Sequence, residues 1–146
     1  MKNKKGFTLI ELLVVISIIG VLSLIGLRLY SGQQEKAKNA IVKANAGTMQ
    51  TLIQANISDT DYDQATPAGR VTAALGDITN VAGCHNPYTG GTGNGGVIFE
   101  SGVALTAGAD TDLGKVAVAS PAVNQFLVQG LDQDGKLLGT ELLVKK

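Results

Sequence analysis

The chain opens with a long run of apolar residues that is almost free of polar interruption. Residues 12–27 carry no ionisable side chain, and extending the run back to Phe7 adds only Glu11. A helix over residues 7–27 would be about 31 Å long, enough to cross the hydrocarbon core of a bilayer. Lys2, Lys4 and Lys5 precede the run and should stay on the cytoplasmic side. The pattern predicts a membrane segment that sends the rest of the chain to the outside face.

A removable secretory signal is the other interpretation of such a segment. Its cleavage site needs small residues at the third and the first position before the cut. At each candidate cut beyond the apolar run, a Leu or a Tyr occupies the outer of these two positions. We therefore expect the segment to remain on the mature protein. Glu11 is then a charge inside a membrane segment, which is costly and is itself a functional hypothesis.

Residues 30–58 follow a second, amphipathic pattern. The stretch has no proline, and apolar or small residues recur at helical separations among polar ones. Read together with the apolar run, it predicts one helix of about 50 residues, at the 3.6-residue period of an α-helix. From Asp59 onward the sequence turns to Asp, Thr, Pro and Gly, so the helix should end near there. The expected buried stripe consists of Ala37, Ile41, Ala44, Leu52 and Ala55, widened on one side by Met49, Ile53 and Ile57.

The C-terminal half alternates in short β-like runs separated by Gly, Asp or Pro. A helix followed by such runs predicts an α+β fold, with an antiparallel sheet head packed on the second half of the helix. Asp132-Gln133-Asp134-Gly135 reads as a hairpin turn closed by Asp-Gly. The candidate strands are residues 97–99, 103–106, 115–119, 125–129 and 136–144.

Composition narrows the possible functions. The chain has 146 residues, which suits a single domain. Its 12 basic and 12 acidic residues cancel, so no long-range field points to nucleic acid. Lys36, Lys38 and Lys43 are better read as a solvated helix face than as a DNA contact. One Cys and one His allow neither an intramolecular disulfide nor a zinc site.

Three segments suggest chemistry but lack part of the required pattern. The acidic stretch 59–63 begins like a calcium loop, yet Gln64 stands where Gly is required and Arg70 where the bidentate Glu should be. The glycine-rich residues 91–96 match a dinucleotide fingerprint without the strand before it or the helix after it. Cys84 and His85 are adjacent, so in extended chain they point to opposite sides. We predict no catalytic residues, no metal site and no cofactor.

The N-terminal motif is more specific than any of these. Residues 4–16, Lys-Lys-Gly-Phe-Thr-Leu-Ile-Glu-Leu-Leu-Val-Val-Ile, closely resemble the start of bacterial type IV prepilins and of the related pseudopilins of type II secretion. The resemblance implies cleavage after Gly6 by a prepilin peptidase and N-methylation of the new terminus, Phe7. It also implies that Glu11 is needed for assembly into a helical filament. The sequence differs from many family members in two respects: its first proline is Pro67, and it lacks a second cysteine to close a C-terminal loop.

The resemblance sets the expected organisation and function. Residues 1–6 are a cleaved leader, residues 7–29 a membrane and filament-core helix, residues 30–58 its continuation, and residues 59–146 a β-rich head. The expected function is a structural subunit of a type IV pilus, with roles such as adhesion or motility. Its partners would be copies of itself, the peptidase and the pilus assembly machinery. It would lie in the inner membrane before assembly and in the extracellular pilus afterwards. The alternatives are a type II secretion pseudopilin, a minor pilin, and a membrane-anchored binding module or enzyme.

Overall fold

A computed structural model describes residues 6–59, 66–75, 84–92, 96–102 and 104–145. The chain divides into two units, Met1–Lys36 and Ala37–Lys146, and the first helix contributes residues to both. The helices are α1 (Leu9–Asp59) and α2 (Pro67–Leu75), and a 3₁₀ turn covers Asp110–Asp112. The strands are β1 (Ile98–Gly102), β2 (Val116–Ala122), β3 (Gln125–Leu131) and β4 (Leu137–Lys145).

Helix α1 runs without a break for 51 residues. It passes through Gly20, Gly26 and Gly32, each of which weakens a helix by roughly 1 kcal/mol relative to alanine. No proline interrupts it, and it ends at Asp59, where the sequence changes character. The predicted single long helix is confirmed.

The head carries a four-stranded sheet in the order β1-β2-β3-β4. Strands β2, β3 and β4 pair antiparallel, which confirms the α+β class. The β3–β4 connection is the predicted hairpin turn: Asp132 Oδ1 accepts hydrogen bonds from the backbone N of Asp134 at 2.8 Å and of Lys136 at 2.9 Å. Gly135 adopts φ +71°, a conformation that L side chains rarely take.

Strand β1 differs from the sequence-based expectation, because it pairs with β2 in parallel. Parallel neighbours need a crossover connection, and the chain between β1 and β2 supplies it. The strand predicted over residues 103–106 is wrong for this reason: residues 104–106 belong to the connection, and Val103 lies outside the described residues. In the 3₁₀ turn of this connection, Asp112 Oδ1 accepts a hydrogen bond from Lys115 Nζ at 2.9 Å.

The core of the head lies between the second half of α1 and the sheet. Val42, Met49, Ile53 and Ile57 are fully buried at helical spacing. The predicted stripe was wrong in its centre, because the buried face lies on the side marked by Met49, Ile53 and Ile57, and Ile41, Ala44 and Ala55 are exposed. A Cβ on Gly130 would stand 2.5 Å from Val42 Cγ1, so only glycine allows β3 to approach the helix this closely. Burial of each large side chain contributes about 1.5 to 3 kcal/mol. The sheet side of this core is formed by Val116, Val118, Phe126, Val128 and Val144.

Helix α2 was not predicted, because Pro67 and Gly69 made its segment resemble a turn. Proline is favoured at the first position of a helix, where its missing N–H is not needed. Thr66 caps this start, since its Oγ1 accepts a hydrogen bond from Gly69 N at 3.1 Å. The buried Arg70 joins α2 to the sheet by donating from Nε to Ser120 Oγ at 2.8 Å and from Nη2 to Ser120 O at 3.0 Å. Residues 60–65, with most of the acidic stretch, lie outside the described residues.

Candidate functional site

The first half of α1 exposes its apolar side chains on every face. From Phe7 at 91% exposed to Tyr30 at 63%, all the large apolar side chains lie at the surface, and the most covered of them, Val15, is 48% exposed. The helix contains an 18-residue window with a mean hydropathy of 2.7, and none of that window is buried inside the chain. An apolar surface of this size is stable only in lipid or against other protein.

The start of α1 is closed by a reciprocal cap between Thr8 and Glu11. Glu11 Oε2 accepts hydrogen bonds from Thr8 N and from Thr8 Oγ1, both at 2.8 Å, and Glu11 N donates to Thr8 Oγ1 at 3.3 Å. This is a capping box, in which two N-terminal backbone donors are satisfied by side chains. Within the described residues, the other carboxylate oxygen, Oε1, accepts no hydrogen bond. The carboxylate therefore keeps one oxygen available.

Two serines inside the apolar run are also satisfied locally. Ser17 Oγ donates to Leu13 O at 2.8 Å, and Ser23 Oγ donates to Ile19 O at 2.7 Å. A hydroxyl bonded to the carbonyl four residues earlier exposes no unpaired donor to an apolar environment. Glu11 is thus the one side chain between Phe7 and Leu27 that carries a formal charge.

Gly6, Phe7 and Thr8 precede the helix and form no regular secondary structure. All three are exposed, and apart from its chain neighbours no atom of the described residues lies within 4 Å of the position where a Cβ on Gly6 would stand. The structure thus brings three of the sequence-predicted features together within one short stretch: Gly6, Phe7 and Glu11. The peptide bond between Gly6 and Phe7 lies outside the helix, in accessible chain.

Comparison with known proteins agrees with this geometry. Residues 1–27 match the family model described as the prokaryotic N-terminal methylation motif. The type IV major fimbrial protein FimA of Dichelobacter nodosus is 33% identical over 93 residues. The chain is therefore similar to type IV fimbrial proteins, most specifically in its N-terminal methylation motif. The fimbrial protein EcpB of Eikenella corrodens is 44% identical over 54 residues.

These similarities cover only part of this chain and of each relative. The match to FimA spans 60% of this chain and 60% of the relative, and the match to EcpB spans 37% of this chain and 34% of the relative. No solved structure matches the chain.

The loop after residue 83 is organised by Asn86, whose side chain is fully buried. Its Nδ2 donates to Leu113 O at 2.6 Å and to Gly96 O at 3.2 Å. Its Oδ1 accepts from Tyr88 N at 2.9 Å and from Thr89 N at 3.2 Å. All four hydrogen-bonding positions of the amide are used, so this one side chain connects three separate stretches of the head.

The same loop is attached to the second half of α1. Asn45 Nδ2 donates to His85 O at 3.0 Å, and Tyr88 Oη donates to Asn39 Oδ1 at 2.6 Å. Lys38 Nζ lies 5.0 Å from the centroid of the Tyr88 ring, within cation–π distance. The described part of the glycine-rich loop is thus anchored at its base, and residues 93–95 lie outside the described residues.

Cys84 and His85 occupy different environments. Cys84 is buried in the core of the head, whereas His85 is exposed. Burial raises the pKa of the Cys84 thiol, and a hydrogen bond with Thr48 opposes that shift in part. The thiol therefore stays protonated at neutral pH. Across the described residues, no group of three or more His, Cys, Asp or Glu side chains is placed to hold a metal ion.

Replacement of the buried thiol tests its packing. We expect Cys84→Ser to lower the stability of the head by about 1 to 2 kcal/mol, because it places a hydroxyl in an apolar cluster. Thermal melting of a soluble fragment that begins near Ser31 measures this. The matched variant Cys84→Ala, which adds no polar group, should be less destabilising. An unchanged melting temperature for Cys84→Ser would show that the thiol contributes no packing.

Sequence reasoning missed two of the residues described above. The capping role of Thr8 could have been predicted, because Thr-x-x-Glu ahead of an apolar run is the capping-box pattern. Asn86 had none, because its partners Gly96 and Leu113 are distant in sequence.

Proposed function

We propose that this chain is a structural subunit that polymerises into a type IV pilus through the apolar half of α1. The observation that carries the proposal is an apolar helical segment, exposed on all sides, with a single carboxylate at its start. Two fimbrial relatives and the methylation motif support it. The chain itself is not an enzyme under this proposal.

The free energy of burying apolar side chains favours two environments for the apolar segment, lipid and a protein interior, over exposure to water. Each exposed apolar side chain gains about 1.5 to 3 kcal/mol on burial, so the segment as a whole disfavours water by tens of kcal/mol. Before assembly, the segment lies in the inner membrane, with the residues after Arg28 outside. After assembly, it lies in a bundle of identical helices at the centre of the extracellular filament. The assembly machinery then moves it from lipid to an equally apolar protein interior.

Processing by the prepilin peptidase takes place between Gly6 and Phe7. The exposed and irregular chain at Gly6 supports this, because a peptidase needs access to a bond outside regular helix. N-methylation of the new amino group at Phe7 follows. Glu11 of one subunit then pairs with that amino group on a neighbour, using the carboxylate oxygen that the Thr8 cap leaves available.

Intact-mass measurement of the mature protein tests the processing step. We expect a chain that begins at a methylated Phe7. Loss of Lys2, Lys4 and Lys5 leaves nine basic against twelve acidic residues, a formal charge of −3. A mature chain that starts at Met1, or one cut beyond Leu27, would contradict the proposal.

Sheared surface material tests the function itself. Electron microscopy with mass spectrometry should show this protein as the dominant component of thin filaments. If the protein remains in the membrane fraction and is absent from the fibres, it functions instead as an anchored module or a pseudopilin.

A further inference from the structure

The unit Met1–Lys36 carries four charged side chains within its described residues: Glu11, Arg28, Glu35 and Lys36. Arg28 and Glu35 are both exposed, and neither forms an ion pair within the part of the chain that the structure describes. Arg28 ends the apolar run directly, with Leu27 before it and Leu29 after it. No carboxylate lies three or four residues from it, the separation at which helix side chains meet.

The spacing of Arg28 and Glu35 places them on one face of α1. Glu35 follows Arg28 by seven residues, which is almost two helical turns, so the two side chains differ in direction around the helix axis by only about 20°. The axial distance between their positions is about 10.5 Å, which is too long for the pairing that neighbouring helix positions allow. Lys38 lies three residues after Glu35, but its Nζ is placed 5.0 Å from the Tyr88 ring and forms no ion pair with Glu35 within the described residues. Arg28 thus has no carboxylate within reach along α1, and Glu35 remains available to a second molecule.

We propose that Arg28 of one subunit pairs with Glu35 of an adjacent copy of the same chain in the filament. This inference rests on the proposed function. The core of a helix bundle desolvates the end of the apolar run, and a guanidinium left unpaired there is strongly disfavoured. Glu35 is the carboxylate nearest to it along α1, because Glu11 lies 17 residues away on the opposite side in sequence. The opposite charges select a second copy as the occupant of this face.

The proposed contact can repeat from subunit to subunit without closing into a ring. Each subunit offers Arg28 to one neighbour and Glu35 to another, so the interface joins different surfaces and propagates as a filament. Two parallel helices that share this pair are displaced axially by about 10.5 Å. The Glu11 contact corresponds to a four-residue displacement of about 6 Å and faces about 100° away around the helix. The two pairs therefore connect each subunit to different neighbours.

Charge reversal in the full-length chain tests the pairing, with fibre yield measured against the membrane pool. Arg28→Glu and Glu35→Arg should each reduce sheared fibres at least tenfold. The double variant should return the yield to within threefold of the unmodified chain. As a specificity control, Lys36→Glu combined with Glu35→Arg should not restore fibres, because Lys36 lies about 100° from Glu35 around the helix.

Neutral variants keep the test valid if a reversed charge prevents insertion into the membrane. Arg28→Gln and Glu35→Gln should each reduce fibre yield, and the double Gln variant should give more fibre than either single variant, because no charge is then left unpaired. Normal fibres from the single variants, or a double variant no better than the singles, would overturn the pairing while leaving the pilus function intact. An unmodified chain that never forms fibres would instead overturn the proposed function.

Discussion

Replacement of Glu11 by valine should abolish fibres while leaving the subunit in the membrane. The Glu11→Val segment is more apolar and should still insert, and Gly6 and Phe7 remain for the peptidase. Each assembled subunit would then bury an amino group without its partner, at a cost of about 3 to 5 kcal/mol. That corresponds to roughly a hundredfold loss or more in each addition step. The ratio of sheared fibres to membrane pool is the measurement.

Two matched variants separate the charge of Glu11 from its capping role. Glu11→Gln keeps a side chain that can cap the helix but removes the charge. Thr8→Val removes the capping hydroxyl but keeps the charge. If the charge drives assembly, Glu11→Gln should fail like Glu11→Val, and Thr8→Val should assemble with a modest loss. Normal fibres from Glu11→Val would show that apolar packing alone sets the filament.

Loss of the Asn86 amide should destabilise the head more than any other single polar change described here. Asn86→Ala leaves two carbonyls and two backbone N–H groups without their partner. Several buried groups left unsatisfied together cost about 3 to 4 kcal/mol. We expect the melting temperature of the fragment that begins near Ser31 to fall by at least about 10 °C.

Asn56 provides the control for that experiment. Its half-buried amide donates one hydrogen bond, from Nδ2 to Ala74 O at 3.0 Å. Asn56→Ala should therefore cost about 1 kcal/mol. Equal losses for the two variants would mean that the loop is held by its backbone bonds and not by the Asn86 side chain.

Features that depend on local pattern were predictable from the sequence. The apolar run, the helix end at Asp59 and the hairpin turn at Asp132 each follow from neighbouring residues, and the structure agrees with all three. Strands β2, β3 and β4 lie within one residue of their predicted starts, but β2 continues past its predicted end through Pro121 to Ala122, and Asn124 at φ +54° makes the turn before β3. The roles of Gly6, Phe7 and Glu11 and the proposed domain boundaries stay predictions.

Features that depend on distant residues were not predictable in the same way. The parallel pairing of β1 with β2 is decided by how the connection crosses the sheet, and strand propensity carries no such information. The burial of Arg70 could not be predicted for the same reason. A charged residue in a turn-like stretch gives no sign of burial until Ser120 is placed beside it.

The cap formed by Thr8 and Glu11 has a consequence for the chain before and after processing. If cleavage releases an amino group at Phe7, a positive charge is created next to the positive end of the α1 dipole. Such a charge weakens a helix by about 0.3 to 1 kcal/mol at its terminus. The Glu11 carboxylate lies in the first turn, where its negative charge interacts favourably with the positive end of the dipole and with the new cation. Maturation would therefore preserve the first turn of the helix, so that the subunit offered to a growing fibre is already ordered at the end that must dock.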